Sequence, residues 1–366
     1  MSIIIFFIIL GVLIVAHEAG HFLVAKFFGI RVDEFAFGFP PRLFGIKKGE
    51  TEYAINAVPF GGYVKIFGED GSDGSLSEDD KKVSFVHKPR HIQAFVIVAG
   101  VLANFLLGWA LITTGYLIGL PTPATGGPEG FAVTDTHLVI TSVRPDSPAS
   151  KGGVLPGDRI VSLAQGDRII NDQIKPSDVS DFISKTNGDS FTLGLERGWM
   201  ASSTILLIGE EGITTGRFAI GITMDSIGVV RLPFFQAITQ GFSTTVLLTR
   251  STIEGLVKLV KDIFSGSAGI DSVSGPVGIV GLVGDAQTLG FAFLISLTAI
   301  ISINLAVINL VPFPALDGGR LLFIIIESII RRPISKKVTT YVNTIGFILL
   351  LTLMLVISIS DISKIL

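Results

Sequence analysis

Four long apolar runs divide this chain of 366 residues, and the stretches between them alternate polar and apolar positions or are frankly polar. The runs cover residues 3–28, 92–120, 289–311 and 342–359. A helix crosses a bilayer with about 20 apolar residues, so each run is read as a membrane-spanning helix. Residues 1–28 thus form the first span. Residues 29–91 are mixed. Within them, segments 31–44 and 52–66 alternate in the way of short strands, with tight turns at Pro40-Pro41 and Gly61-Gly62. Residues 69–82 are rich in Gly, Ser and acids and read as an exposed loop. Residues 92–120 are the second span.

Residues 121–233 have a water-soluble pattern. Strands are predicted at 139–143, 159–163, 190–196, 204–209 and 218–224. A helix is predicted over 177–185, with Val179, Phe182 and Ile183 on one face. Short strands and one helix make a single small α+β domain. Residues 234–264 are amphipathic and broken by Gly241 and Gly255; they lie on the membrane surface or pack on the spans. Residues 265–284 are Gly/Ser-rich, so 234–288 reads as an amphipathic helix and a linker. Residues 289–330 hold the third span and a Pro/Gly-broken segment, Pro312-Phe-Pro-Ala-Leu-Asp-Gly-Gly319. Residues 331–366 hold a basic loop and the fourth span.

Basic residues orient the spans. Arg331, Arg332, Lys336 and Lys337 lie between spans three and four, and Lys81, Lys82, Lys88 and Arg90 precede span two. With four spans both groups fall on one side, the cytoplasmic one. The domain at 121–233 and both termini are then outside. Composition agrees with a membrane protein: 48% of residues are hydrophobic and only 16% charged, and mean hydropathy is +0.65. A net charge of −3 implies no nucleic-acid partner. Without cysteine, any metal must be held by His, Asp or Glu. The first run lacks a basic leader and is long, so it is read as retained rather than cleaved as a signal peptide.

The chemistry sits inside the first run. His17-Glu18-Ala-Gly-His21 is an H-E-x-x-H motif. On a helix, residues i and i+4 share a face, so both imidazoles can reach one metal ion, with Glu18 beside a metal-bound water. At 1.5 Å per residue, His17 lies about 20 Å along the span, toward the cytoplasmic face. A charged side chain near the middle of a membrane costs about 2.5–3.5 kcal/mol on insertion scales, which favours a functional reading. A catalytic zinc takes three protein ligands and keeps one position open. Asp317 is the best third candidate, because it is an acid in irregular backbone within apolar sequence, which must line a cavity or be buried in protein. Gly318 and Gly319 allow close backbone approach. Bound zinc lowers the pKa of water to about 7, and Glu18 is the candidate general base. Two His and a carboxylate also suit iron(II).

Four further features are weighed. Asn309, eight residues before Asp317, either orients substrate and stabilises an oxyanion or packs helices through a hydrogen bond. For Asn304 and Asn104 the packing reading leads. His87 and His91 are also spaced i,i+4, but Pro89 and the flanking Lys88 and Arg90 point to a basic loop. The strand residues Glu52, Tyr53, Ala54, Ile55 and Asn56, with Gly61, Gly62 and Tyr63, either hold an extended substrate by strand addition or plug the membrane face.

Taken together, His17-Glu18-x-x-His21, Pro59-Phe-Gly-Gly-Tyr-Val-Lys65, Ser274-Gly-Pro-Val-Gly278 and Asn309-Leu-Val-Pro-Phe-Pro-Ala-Leu-Asp317-Gly-Gly resemble the site-2 protease family of intramembrane zinc metalloproteases, in its bacterial RseP-like branch. The resemblance covers nearly the whole chain. It implies zinc held by His17, His21 and Asp317, a catalytic Glu18 and an assisting Asn309. It implies that residues 52–65 belong to a membrane-associated β-hairpin that engages substrate. The segment Ser147 to Ile160, with Leu-Pro-Gly-Asp-Arg-Ile, looks like part of a PDZ domain. Such domains in this family act outside the membrane, as a filter on substrates already clipped by another protease. One such unit is found here, where some members carry two.

The expected fold is therefore a polytopic α-helical membrane protein of about four spans, with a membrane-associated β-hairpin or sheet and one inserted extracytoplasmic PDZ-like α+β domain. The expected function is zinc-dependent cleavage within the transmembrane segment of a single-span protein, such as a membrane-bound anti-sigma factor or a remnant signal peptide, in the bacterial inner membrane. The competing reading is a non-catalytic scaffold or receptor that uses the PDZ-like domain; the intact Glu18 counts against it. A metal or proton transporter ranks last, since spans two and four carry too few charges.

Overall fold

A computed structural model describes residues 1–69, 77–128, 130–171, 174–197, 203–214, 217–265 and 275–365. Half of the acidic loop read at 69–82, Ser274 and much of the Gly/Ser-rich stretch after residue 265 thus lie outside the described residues. In chain order the first elements are α1 (Ser2–Phe27), β1 (Val32–Lys48), β2 (Thr51–Ile66), α2 (Glu78–Val83) and α3 (Arg90–Ile118). Then come β3 (Leu120–Pro123), β4 (Thr134–Val143), α4 (Pro148–Lys151), β5 (Arg159–Gln165), β6 (Arg168–Ile170), α5 (Pro176–Ser184) and β7 (Ser190–Glu196). They are followed by β8 (Ser203–Ile208), β9 (Glu210–Thr214), β10 (Arg217–Ala219) and β11 (Ile222–Val230). The last elements are α6 (Phe234–Phe264), α7 (Pro276–Leu289), α8 (Phe291–Leu310), α9 (Asp317–Ile330) and α10 (Lys336–Ile365).

Among the described residues four helices are long and apolar enough to cross a membrane: Ser2–Phe27, Arg90–Ile118, Phe291–Leu310 and Lys336–Ser363. They coincide with the four apolar runs. The fourth is longer than its run, because Lys336 and Lys337 occupy its first turn. Two expectations fail. Gly241 and Gly255 do not break α6, which is one continuous helix of 31 residues. The linker read at 265–284 contains the start of helix α7. Its glycines alternate with Val, Ile and Leu, and glycine is frequent in apolar helices. Its first turn is also capped, since the Asp361 carboxylate accepts from Gly275 N at 2.9 Å and Gly278 N at 2.8 Å.

The chain forms two compact units. One comprises Met1–Leu111, Phe242–Gly281 and Thr298–Leu366; the other comprises Ile112–Gly241 and Leu282–Leu297. In the first, β1 and β2 are not two short strands but long ones of 17 and 16 residues. Each bends, so their halves form four neighbouring segments joined by three ladders. Segment 34–37 pairs with 62–65 on one side (Ala36 with Tyr63) and with 52–55 on the other (Ala36 with Ala54). Segment 52–56 pairs in turn with 42–47 (Gly45 with Ala54). An apolar cluster of Ala25, Ile30, Val32, Ile66, Phe85, Val96 and Ile97 ties α1, the sheet and α3 together.

The second unit is built on a sheet of strand order β3-β11-β4-β5-β7-β8, with β6 added to β5. Its core contains Ile140, Leu163, Phe191, Leu193, Leu195 and Ile220. Helix α5 buries Val179, Phe182 and Ile183, the face its spacing predicts. The strand predicted at 218–224 is two strands, because the backbone turns at Gly221 with φ of +77°.

Candidate metal centre

Helix α1 has no Pro and no break near its motif, so His17 and His21 stand one turn apart on one face. Their rings lie edge to face with centroids 4.8 Å apart, and their Nε2 atoms are 3.3 Å apart. Asp317 arrives from the far end of the chain. Pro312 and Pro314 end α8, and Asp317 is the first residue of α9. The loop between them passes through Ala315 at φ of +73°, where Asn343 Oδ1 of α10 accepts from Ala315 N at 3.3 Å. A Cβ at Gly318 would overlap the carbonyl oxygens of Leu310 and Val311, and one at Gly319 that of Phe313. The two glycines thus let α9 start hard against the loop backbone, which fixes the carboxylate.

Asp317 Oδ2 lies 3.0 Å from His17 Nε2 and 3.3 Å from His21 Nε2. The ligand atoms of these three residues lie within 4.8 Å of one another, and this is the one such group of three among the described residues. Oδ2 is buried and accepts no well-formed hydrogen bond despite its two nitrogen neighbours. A buried carboxylate oxygen needs compensation. Three donor atoms facing a common point, one of them an orphaned anion, fit a small divalent cation. Two imidazoles and a carboxylate are a zinc donor set with room for a fourth ligand.

The outer nitrogens of the imidazoles are also engaged. His21 Nδ1 donates to the Val96 carbonyl of α3 at 2.8 Å. His17 Nδ1 is 3.2 Å from the amide of Asn104, a fully buried residue of α3. Between them on α3 is Gly100: a Cβ there would overlap His21 Nε2 and come within 2.8 Å of His17 Cε1. Only glycine leaves the pair this space.

Glu18, His17, His21, Asp317 and Asn309 line one cavity of about 670 Å³. Asn309 makes no side-chain hydrogen bond to another described residue, whereas Asn304 accepts from the Thr252 hydroxyl of α6 at 2.8 Å. Arg320, one turn beyond Asp317, pairs with Glu69 at 2.5 Å beside the cavity. Gly61, Gly62 and Tyr63 form another wall. A Cβ at Gly62 would sit 2.6 Å from Ile14 Cγ2 and 3.2 Å from Glu18 Cγ, so the strand backbone runs directly against the motif. Burial, and then a hydrogen bond to Glu34, push the Tyr63 phenol up, which keeps it a neutral donor.

One expectation about the sheet is corrected. Glu52, Tyr53, Ala54, Ile55 and Asn56 were candidates for adding a substrate strand, but this segment is interior, paired on both sides. Its backbone groups are spent within the sheet. Among the described residues segment 62–66 pairs on one side only, with 32–37, and this edge strand runs beside Glu18. Among the described residues His87 and His91 belong to no group of three metal-ligating side chains: His87 Nδ1 is 3.3 Å from Ser84 Oγ, and His91 packs on Phe95. The residues that sequence reasoning missed are Asn104 as a neighbour of His17, Gly100, Asn343 and Arg320. Asn104 was visible as an amide in an apolar run, but its partner lies 87 residues away.

A family model described as "Peptidase family M50" matches residues 5–353 of the chain. Among similar proteins is one of Clostridium perfringens named "Putative zinc metalloprotease CPE1693", 38% identical over 356 residues that cover 96% of this chain and 95% of the relative. A Synechocystis protein named "Putative zinc metalloprotease slr1821" is 33% identical over 94% of this chain and 90% of its own length. "Zinc metalloprotease RasP" of Geobacillus kaustophilus is 30% identical over 99% of this chain and 98% of its own length.

Proposed function

The chain belongs to peptidase family M50, and from that premise we propose that it is an intramembrane endopeptidase, which hydrolyses a peptide bond within or beside the transmembrane segment of a single-span membrane protein. It is a multi-pass membrane protein and a zinc metalloprotease of the site-2 type. The roles of its residues are our reading. His17 and His21 of α1 and Asp317 of α9 hold the zinc, and Glu18 is the general base. Zinc held there supplies Lewis acidity toward water and toward the scissile carbonyl. Glu18 accepts the proton of the attacking water and passes it to the leaving amide nitrogen. Asn309, with no other side-chain hydrogen bond among the described residues, orients the carbonyl or donates to the developing oxyanion.

Peptide backbone within a helix has its groups hydrogen-bonded and is closed to attack. The free edge of segment 62–66 beside Glu18 supports binding of substrate in extended form. Under the four-span topology His17, late in α1, and Asp317, just beyond α8, both lie toward the cytoplasmic face of a bacterial inner membrane. The unit with the seven-stranded sheet then lies outside. Leu155-Pro-Gly-Asp158-Arg-Ile160 leading into β5, with α5 over the core, supports a PDZ-like reading of it. It would sort substrates, such as an anti-sigma factor or a remnant signal peptide, that another protease has already shortened.

The observation that carries this reading is the convergence of His17, His21 and Asp317 beside Glu18 in a cavity among apolar helices. Its test uses the purified chain in lipid with a single-span substrate. Cleavage within the apolar segment, lost on zinc chelation and reduced at least about 100-fold in Glu18→Gln, is the expected result. Undiminished cleavage by Glu18→Gln would falsify the mechanism.

A further inference from the structure

Helix α3 offers the histidine pair three successive features at i, i+4 and i+8: the Val96 carbonyl, the space at Gly100 and the Asn104 amide. These positions share one face of a helix. The first feature orients His21 through the main chain. The second admits both rings. The third is a side chain, and it stands at the one ring nitrogen that remains, His17 Nδ1.

We infer that Asn104 is a positioning residue for the metal centre: its amide oxygen accepts from His17 Nδ1–H and so holds the Nε2 lone pair of His17 toward the metal. The inference rests on His17 being a ligand. Asn104 Nδ2 faces His17 Nδ1 at 3.2 Å, while Asn104 Oδ1 is buried without a hydrogen-bond partner among the described residues. Amide N and O have nearly the same shape, and the network decides which is which. With Nδ2 toward Nδ1, the imidazole must carry its proton on Nε2, the atom 3.0 Å from Asp317 Oδ2, and that proton blocks coordination. With Oδ1 there instead, Nδ1–H has its acceptor and Nε2 is bare; either orientation leaves one end of the amide without a partner among the described residues, so a bare Nε2 for the metal is what selects this one. Histidine ligands characteristically donate their other N–H to a fixed acceptor, which sets tautomer and ring orientation. His21 already does so through Val96.

The position of Asn104 is itself fixed. It is completely buried, and Ser302 Oγ of α8 donates to its backbone carbonyl at 2.8 Å. That contact uses only the main chain of Asn104, so it separates helix packing from the role of the amide.

The test is zinc affinity, by competition with a chromogenic chelator, in the purified full chain. Four variants are compared: Asn104→Leu, Asn104→Asp, Ser302→Ala and His17→Ala. Asn104→Leu keeps the bulk and loses the acceptor; affinity is expected to fall about 10- to 100-fold. Asn104→Asp keeps an acceptor in either orientation and is expected to hold zinc within a few-fold of the parent protein. Ser302→Ala is expected to leave affinity unchanged. Equal affinity in Asn104→Leu and the parent protein overturns the inference. So does equal weakening in Asn104→Leu and Asn104→Asp, which marks a packing role. His17→Ala holding zinc as well as the parent protein would instead overturn the ligand assignment on which the inference stands.

Discussion

In the unit built on the seven-stranded sheet, the core is filled by large apolar side chains, Phe182, Phe191, Leu163, Leu193 and Leu195 among them. In the helical unit many of the large apolar side chains face outward, Ile3, Ile8, Leu349 and Leu355 among them, and several buried positions are polar or small. The solvent explains the difference. Water drives apolar burial, at about 1.5–3 kcal/mol for each large side chain. Lipid gives helices no such drive, and they associate through close packing of small residues and hydrogen bonds between helices. A Cβ at Gly20 would overlap the Ala99 carbonyl and come within 2.8 Å of the Ala103 Cβ, so α1 and α3 meet backbone to backbone. Ser302 on Asn104, Thr252 on Asn304 and Asp361 on Gly275 and Gly278 supply the hydrogen bonds. Even a buried acid at the rim of the sheet unit's core is handled differently. Asp158 is met by a forked Arg197 at 2.6 and 2.7 Å, whereas Asp317 faces two imidazoles and is suited to a metal.

The contrast can be broken at single residues. Gly100→Ala puts a methyl group onto the imidazole of His21. The change adds apolar surface and favours helix, yet zinc content is expected to fall at least about tenfold, since misplacing a ligand costs as much as losing an outer partner. Metal analysis checks this, and proteolytic resistance of the sheet unit is expected to stay unchanged. Full zinc in Gly100→Ala would mean that the α1–α3 contact does not set the site. Phe182→Ala is the converse. It empties the sheet core beside Phe191, whose ring centroid is 5.9 Å away, and is expected to destabilise that unit by about 3–5 kcal/mol. Hydrogen exchange of β5 and β7 reports the loss, and zinc content is expected not to move.

The same contrast explains what was legible in the sequence. Period-two alternation and the 179/182/183 face located most of the sheet unit, because one solvent, water, acts on every strand. Four spans and the H-E-x-x-H motif were legible because apolar length and local spacing are enough for them. Asp317 was legible as an acid in broken apolar sequence. The pairing of segment 52–56 on both sides was not, since β1 and β2 fold back through bends that no local pattern encodes. Nor was α7: its glycines read as linker, and its cap, Asp361, is 83 to 86 residues away. The partnership of Asn104 with His17 was hidden for the same reason, as a nonlocal contact between two apolar helices. In such helices the informative residues are few and polar, and only the fold says which of them meet.

The most direct test of the account is metal stoichiometry combined with cleavage across the four central residues. The parent protein and Glu18→Gln are expected to hold about one zinc per chain, while His17→Ala, His21→Ala and Asp317→Ala hold little, and all four variants fail to cut a single-span substrate. Full zinc in Asp317→Ala, or cleavage by a chain that carries none, would contradict it.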